Sequence, residues 1–326
     1  MAQLRKSYPR FKREGDAPAI ALTEDDIAIL EHVHRHRFVR ADDLYRLFPG
    51  RSSDKLSRRL VRLFRNRYLD RPIAQIDRHR EGGSAALVYG LDSAGARHLK
   101  EHLNVPVGVA NWKARNRSYT RENLDHTLAV ATFMIDLELA CRANASIDLI
   151  PFEEILRDAP PATRQSVKPG GWPVPLQYGD ASGTVHIVPD AIFGLRSTAA
   201  DGRKTRAFVF LEIDRGTMTI APAKRVRESD GFLHRSSVLR KLLGYAASHH
   251  HQLHKEHLGI PIARVLTLTN SVKRAAAIRE VANALVVKPL GLPSGLFLFG
   301  VAVEKSNPLA TAWTNAASEA VRLEPT

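Results

Sequence analysis

From Thr23 the apolar positions fall into helical spacing. Thr23 is a cap followed by Glu24, Asp25 and Asp26, and Ile27, Leu30, Val33 and His34 then mark one face. A second short helix is predicted in RADDLYRLF and is closed by Pro49-Gly50. In SSDKLSRRLVRLFRNRYL, Leu56, Leu60, Leu63 and Phe64 fall at i, i+4, i+7 and i+8, so this third helix turns one stripe inward. Its other side carries Lys55, Arg58, Arg59, Arg62 and Arg65, with Ser57 among them. RPIAQI and AALVYGL read as strands joined by the tip DRHREGGS, where Gly82-Gly83 suits a hairpin turn and Arg78, His79 and Arg80 suit phosphate contact. The helix DSAGARHLKEHL closes the unit. This order predicts a winged helix-turn-helix over residues 20–102, with its third helix in the major groove and a basic wing beside it. The bland alternative for the arginines is a solvated helix face.

Residues 103–119 read as a linker, and residues 120–326 read as an α/β domain. TRENLDHTLAVATFMIDLELACRAN is a long helix with Leu124, Leu128, Phe133, Ile135 and Leu139 among its apolar positions. Glu122 and His126 share a face of it, either as part of a metal site or as a polar pair. SIDLIPF is a strand, and the Pro- and Gly-rich run after it reads as a long loop over the sheet. HIVPDAIFGL and RAFVFLEID are strands joined by a polar turn, followed by a helix over 236–251, the strand ARVLTLT, a helix near 271–284 and the strand GLFLFGV. Alternation puts Glu212 and Asp214 on one face at the end of an otherwise apolar strand, and Asp190 opens the strand before it. Convergence of these three acids at one sheet edge predicts a site for Mg²⁺ or Mn²⁺ facing a phosphate.

Composition adds a partner class. Lys and Arg number 48 against 34 acids, a net +14 with pI near 10.1, and residues 1–118 hold 24 of the bases and 14 of the acids. The excess points to a polyanion, with the first third as its footprint and residues 1–19 as a flexible basic arm. Cys141 is the single cysteine, which excludes an internal disulfide framework and suits a reducing cytoplasm. The most apolar tract, PLGLPSGLFLFGVAV, is broken by Pro and Gly, so no membrane span is expected. His250, His254 and His257 follow i, i+4, i+7, a spacing that would let one helix face bind a transition metal; a polar helix end is the plainer reading. No GxxxxGK[ST] loop is present, so an ATP-driven motor is not expected.

Pro189-Asp190 on one strand, Glu212-Ile213-Asp214 on the next and the order of elements resemble the PD-(D/E)XK nuclease superfamily. The resemblance implies a three-layer α/β fold and a metal role for Asp190 and Glu212. Asp214 stands where the pattern places lysine, and some members supply the lysine from the following helix, where Lys241 lies; Arg215 and Lys224 are further substitutes. A broader resemblance, in LTEDDIAILEHVHRHRFVRADDLYRLF, LVYGLDSAGARHL, LDHTLAVATFMIDLELA, PDAIF, FLEIDRGTM and KLLGYAA, is to the replication-relaxation family. It implies a DNA-processing role on plasmids and related mobile elements. The expectation is a mixed α+β and α/β chain that binds double-stranded DNA, as a homodimer or with other replication or relaxation proteins, and is a Mg-dependent endonuclease. The alternatives are a catalytically silent accessory factor and a winged-helix transcriptional regulator.

Overall fold

The computed structural model describes residues 10–13, 17–76, 86–103, 111–199, 201–227 and 230–325. The chain divides into two compact units, Met1–Ile135 and Asp136–Thr326. Among the described residues, no helix is long and apolar enough to cross a membrane.

The first unit opens with α1 (Glu24–His36), started by a capping box in which the Thr23 side chain accepts the Asp26 N–H and the Asp26 carboxylate accepts the Thr23 N–H at 2.7 Å. Then come β1 (Phe38–Arg40), α2 (Ala41–Leu47), α3 (Ser53–Arg65), β2 (Leu69–Asp70), β3 (Val88–Leu91), α4 (Ser93–Leu103) and α5 (Trp112–Arg117). Helix α3 buries the expected stripe, Leu56, Leu60, Leu63 and Phe64. The strands form one antiparallel sheet in the order β1-β3-β2. Gly90, in the middle strand, passes directly over Phe38; a Cβ there would lie 2.6 Å from that ring.

Three expectations for this unit are corrected. RPIAQI is not a strand: Pro72 has no N–H to donate, and Ile73–Gln75 form a 3-10 turn. The Gln75 side-chain amide takes over the pairing, accepting from Val88 N at 2.8 Å and donating to Val88 O at 3.0 Å. The stretch read as a linker holds α5, whose Trp112 and Asn116 are buried. Trp112 packs under the Arg37 guanidinium, 4.8 Å from the ring centroid, and Asn116 bonds Arg37, Asp70 and the Leu91 carbonyl. Part of the N-terminal arm is also held: Arg13 donates to the Phe64 and Leu69 carbonyls and pairs with Asp92 at 2.6 Å. The tip carrying Arg78, His79 and Arg80 lies outside the described residues.

Helix α6 (Arg121–Arg142) starts in the first unit and ends in the second. The second unit continues with β4 (Ile147–Ile150), α7 (Phe152–Asp158), α8 (Pro161–Arg164), β5 (Trp172–Tyr178), β6 (Ala181–Ile187), β7 (Ala191–Thr198) and β8 (Lys204–Asp214). After these come α9 (Lys224–Arg227), α10 (Val238–His250), α11 (Leu253–Leu258), β9 (Ala263–Thr269), α12 (Val272–Ala282), a π-helical turn (Asn283–Val287), α13 (Lys288–Leu290), β10 (Phe297–Val301), β11 (Trp313–Asn315) and β12 (Ala320–Val321). Seven strands make a mixed sheet in the order β12-β11-β10-β9-β8-β7-β4, with β8-β9 and β9-β10 parallel. Along β8, Phe208, Phe210 and Glu212 alternate with Val209, Leu211 and Ile213, and all six are buried, so the strand is covered on both faces. Phe210 packs with α10 and α12 residues in one apolar core.

The supposed loop before β6 is instead half of a two-stranded antiparallel hairpin, β5-β6. Trp172, Val174 and Leu176 point into the core while Pro173, Pro175 and Gln177 face out. A proline nitrogen cannot donate, so Pro173 and Pro175 turn theirs away from β6, as an edge strand allows.

Candidate functional site

Helix α10 starts at Ser237, whose hydroxyl accepts the Arg240 N–H at 3.1 Å, and it presents Lys241 and Tyr245 four residues apart on the face toward β8. Lys241 Nζ donates to Glu212 Oε2 at 2.5 Å, and the Tyr245 hydroxyl donates to Glu212 Oε1 at 2.6 Å. Asp190 lies at the entry to β7 and is pinned to the neighbouring strand, with its N–H on the Leu211 carbonyl at 2.9 Å and its Oδ2 accepting from Ile213 N at 2.8 Å. Two carboxylates, an ammonium and a phenol thus gather on two inner strands and one helix. Of the three cations proposed from sequence, Lys241 is the one bonded to Glu212; Arg215 and Lys224 are exposed, the latter at the start of α9.

Burial pushes the Glu212 carboxyl above its usual range and the Asp190 charge adds to this, while Lys241 and Tyr245 pull the other way. Burial alone would lower the Lys241 ammonium, but Glu212 first, then Asp190 and Asp214, raise it above its ordinary value. Tyr245, wholly buried against Glu212, is held well above the usual phenol and stays protonated.

Asp214, at the end of β8, is bonded to a different helix. Both of its oxygens are taken by the Arg274 fork from α12, with Nη2 on Oδ1 at 2.9 Å and Nε on Oδ2, and Arg274 also donates to the Met218 carbonyl. No group of three His, Cys, Asp or Glu ligand atoms within 4.8 Å of one another includes Asp190, Glu212 and Asp214 among the described residues. Asp190 and Glu212 lie side by side at one end of two inner strands, since Ala191 at the start of β7 pairs with Leu211 of β8. Sequence reasoning missed Tyr245, although its i+4 spacing from Lys241 was available, and Arg274, for which no local signal exists.

On α3, Lys55, Arg58 and Arg62 are exposed, and Arg65 is half-buried. Arg59 is otherwise employed: its Nε donates to Asp26 Oδ1 at 2.6 Å, and its Nη2 reaches Asp26 Oδ2 and the Ala21 carbonyl. The Asp26 bond raises the Arg59 guanidinium further above its ordinary value. Ser57 shares a 2.5 Å hydrogen bond with the Tyr45 hydroxyl. Glu122 is exposed and His126 half-buried, and among the described residues no third ligand atom joins them within 4.8 Å.

The histidine-rich stretch does not form one face. Gln252 adopts a left-handed conformation, φ 54°, that ends α10 and starts α11. His254 sits between the Ser248 and Pro261 carbonyls, and His257 Nε2 lies 2.9 Å from the Pro169 carbonyl. Cys141 is buried, and its thiol is pushed up to about 12 by burial and then by Asp148 and Glu138.

Searches of curated proteins and of solved structures returned no match. A family model described as replication-relaxation matches residues 30–261, a span that takes in α3, Asp190, Glu212 and Lys241. With most of its length inside that match, the chain belongs to the replication-relaxation family.

Proposed function

We propose that the chain is a DNA-binding protein that acts in replication and DNA relaxation of a plasmid or mobile element, and that its second unit hydrolyses a phosphodiester bond. The observation that carries this reading is the Lys241–Glu212 pair beside Asp190, with the lysine supplied by the helix that follows the acidic strand. Strands β4, β7, β8, β9 and β10 stand in sequential order, with β7 antiparallel to both neighbours, which supports a PD-(D/E)XK-like three-layer fold. In the first unit, the exposed Lys55, Arg58 and Arg62 of α3 and the sheet beside them support a winged helix docked on duplex DNA.

Asp190 and Glu212 are hard oxygen donors, and Glu212 is a buried carboxylate close to a second acid, a pairing that a divalent cation relieves. They would hold Mg²⁺ or Mn²⁺, which lowers the pKa of a bound water and offsets phosphate charge. Lys241 stays an ammonium and neutralises charge growing on the phosphate oxygens. Tyr245 fixes the rotamer of Glu212, and Asp214 orients Arg274 rather than a ligand.

Supercoiled plasmid incubated with the protein and Mg²⁺ or Mn²⁺ tests this reading. Nicking should appear and should vanish in Asp190→Ala and in Glu212→Ala; nicking that persists in both variants sinks the site. The second reading, a silent accessory factor, is favoured by one observation: both Glu212 oxygens and both Asp214 oxygens already have protein donors. Duplex binding with no cleavage under either metal selects it.

A further inference from the structure

A cavity in the first unit, about 360 Å³, lies where the N-terminal segment, the end of α3 and α5 meet. Its wall carries Lys12, Arg67, Lys113 and Arg117, all exposed and none with an acidic partner among the described residues. Arg71 stands behind them. It is only 6% exposed, its Nη1 and Nη2 donate to the Arg10 carbonyl and the Tyr89 hydroxyl, and its Nε has no partner. Its guanidinium lies 4.3 Å from the Phe64 ring centroid and, among the described residues, faces no carboxylate. Asp70 is the one acid on the wall, and it is answered by Arg13 at 3.3 Å and by Asn116.

A buried cation without a counter-charge is costly, and four more cations ring the same space. An anion in the cavity removes that cost. A carboxylate or a backbone phosphodiester brings a single charge, whereas a phosphate monoester brings about −1.5 to −2 and three acceptor oxygens that arginine forks can grip. The cavity exceeds the needs of a bare phosphate, and Phe11, Pro72 and Ile73 give it an apolar side against which a base or sugar can lie. A backbone running along a duplex needs a ridge, while a terminal phosphate fits a concavity. We propose that this cavity binds a nucleotide phosphate monoester, supplied either by the 5′ end of a DNA strand or by a free nucleotide. The strand-end source rests on the DNA-docking reading given above; the anion site itself does not.

The test uses the full chain and single-stranded oligonucleotides of one sequence, labelled at the 3′ end and carrying either a 5′-phosphate or a 5′-hydroxyl. Pyrophosphate and a deoxynucleoside 5′-monophosphate serve as competitors. The phosphorylated strand should bind about tenfold tighter or better, one charge-assisted bidentate contact's worth. Both competitors should erase that preference. Lys113→Ala with Arg117→Ala should abolish it without moving the thermal melt, since both side chains are exposed. Loss of competitor binding in the double variant, with the two oligonucleotides bound equally by the unaltered chain, supports the free-nucleotide source. The proposal is overturned if neither competitor binds, or if a 5′-phosphate preference survives in the double variant. Covalently closed plasmid, which has no ends, separates the two readings. Its binding should survive Lys113→Ala with Arg117→Ala and weaken in Arg58→Ala with Arg62→Ala. A plasmid that never binds refutes docking and leaves the competitor arms to decide the cavity.

Discussion

Lys241 and Arg59 are basic side chains whose roles separate once their partners are known. Removing Lys241 strands Glu212, which is only 8% exposed at its side chain, without its cation. A fully buried pair broken in this way loses about 3–5 kcal/mol; Lys241 is 41% exposed, so about 2 kcal/mol is expected for Lys241→Met by urea denaturation at neutral pH. Because burial already raises Glu212, the variant should regain stability as pH falls and the carboxyl takes up a proton, and Glu212→Gln in the same chain should flatten that response. Arg59→Ala leaves Asp26, which has no exposed surface, without its cation and should cost about 3 kcal/mol in chemical denaturation. Arg58→Ala with Arg62→Ala should leave stability alone and reduce the slope of log affinity for duplex against log salt by about 1.8, roughly 0.9 per phosphate contact. An unchanged slope removes α3 from the interface. The carboxylates and Lys241 were legible because each sits in a pattern of strand alternation or helix following strand. Arg59 and Arg274 were not, since their partners lie 33 and 60 residues away in sequence.

Elements with a long apolar period were the readable ones. The α3 stripe and the strands β8, β9 and β10 needed no tertiary information, because their burial pattern is written in their own residues. Strand β1 was invisible: three residues cannot show a period, and only pairing with β3 makes it a strand. The β5-β6 hairpin was hidden by composition, since prolines on its outward positions mimic a loop while Trp172, Val174 and Leu176 keep strict alternation. Trp172 is the check: its indole N–H donates to Ser248 on α10 at 2.9 Å, and Trp172→Ala should cost about 3–5 kcal/mol in chemical denaturation, far beyond what a surface loop would lose. At the start of α10, Ser237→Ala should cost about 1 kcal/mol through loss of the cap and should loosen the helix that carries Lys241.

At the scale of the molecule, acid acts on the first unit through His36. Burial, then the neighbouring His32 and Arg35, lower its pKa from 6.5 to about 3. The unfolded chain therefore binds a proton before the folded one does. The stability this neutral ring contributes is present above pH 6.5 and drains away toward pH 3, by up to about 1.4 kcal/mol per pH unit. Midpoints followed by circular dichroism should show that fall, and His36→Gln should remove the part due to this ring. The two units part within a continuous helix: the 22-residue α6 carries the chain past that residue, and a helix offers no Gly- or Pro-rich mark of a boundary. The outward prolines of β5 have a consequence for the molecule among its own copies. An open strand edge is a template onto which another chain can add and polymerise, and at Pro173 and Pro175 that edge offers no hydrogen to share. Neighbouring copies of the chain find no ladder there to extend.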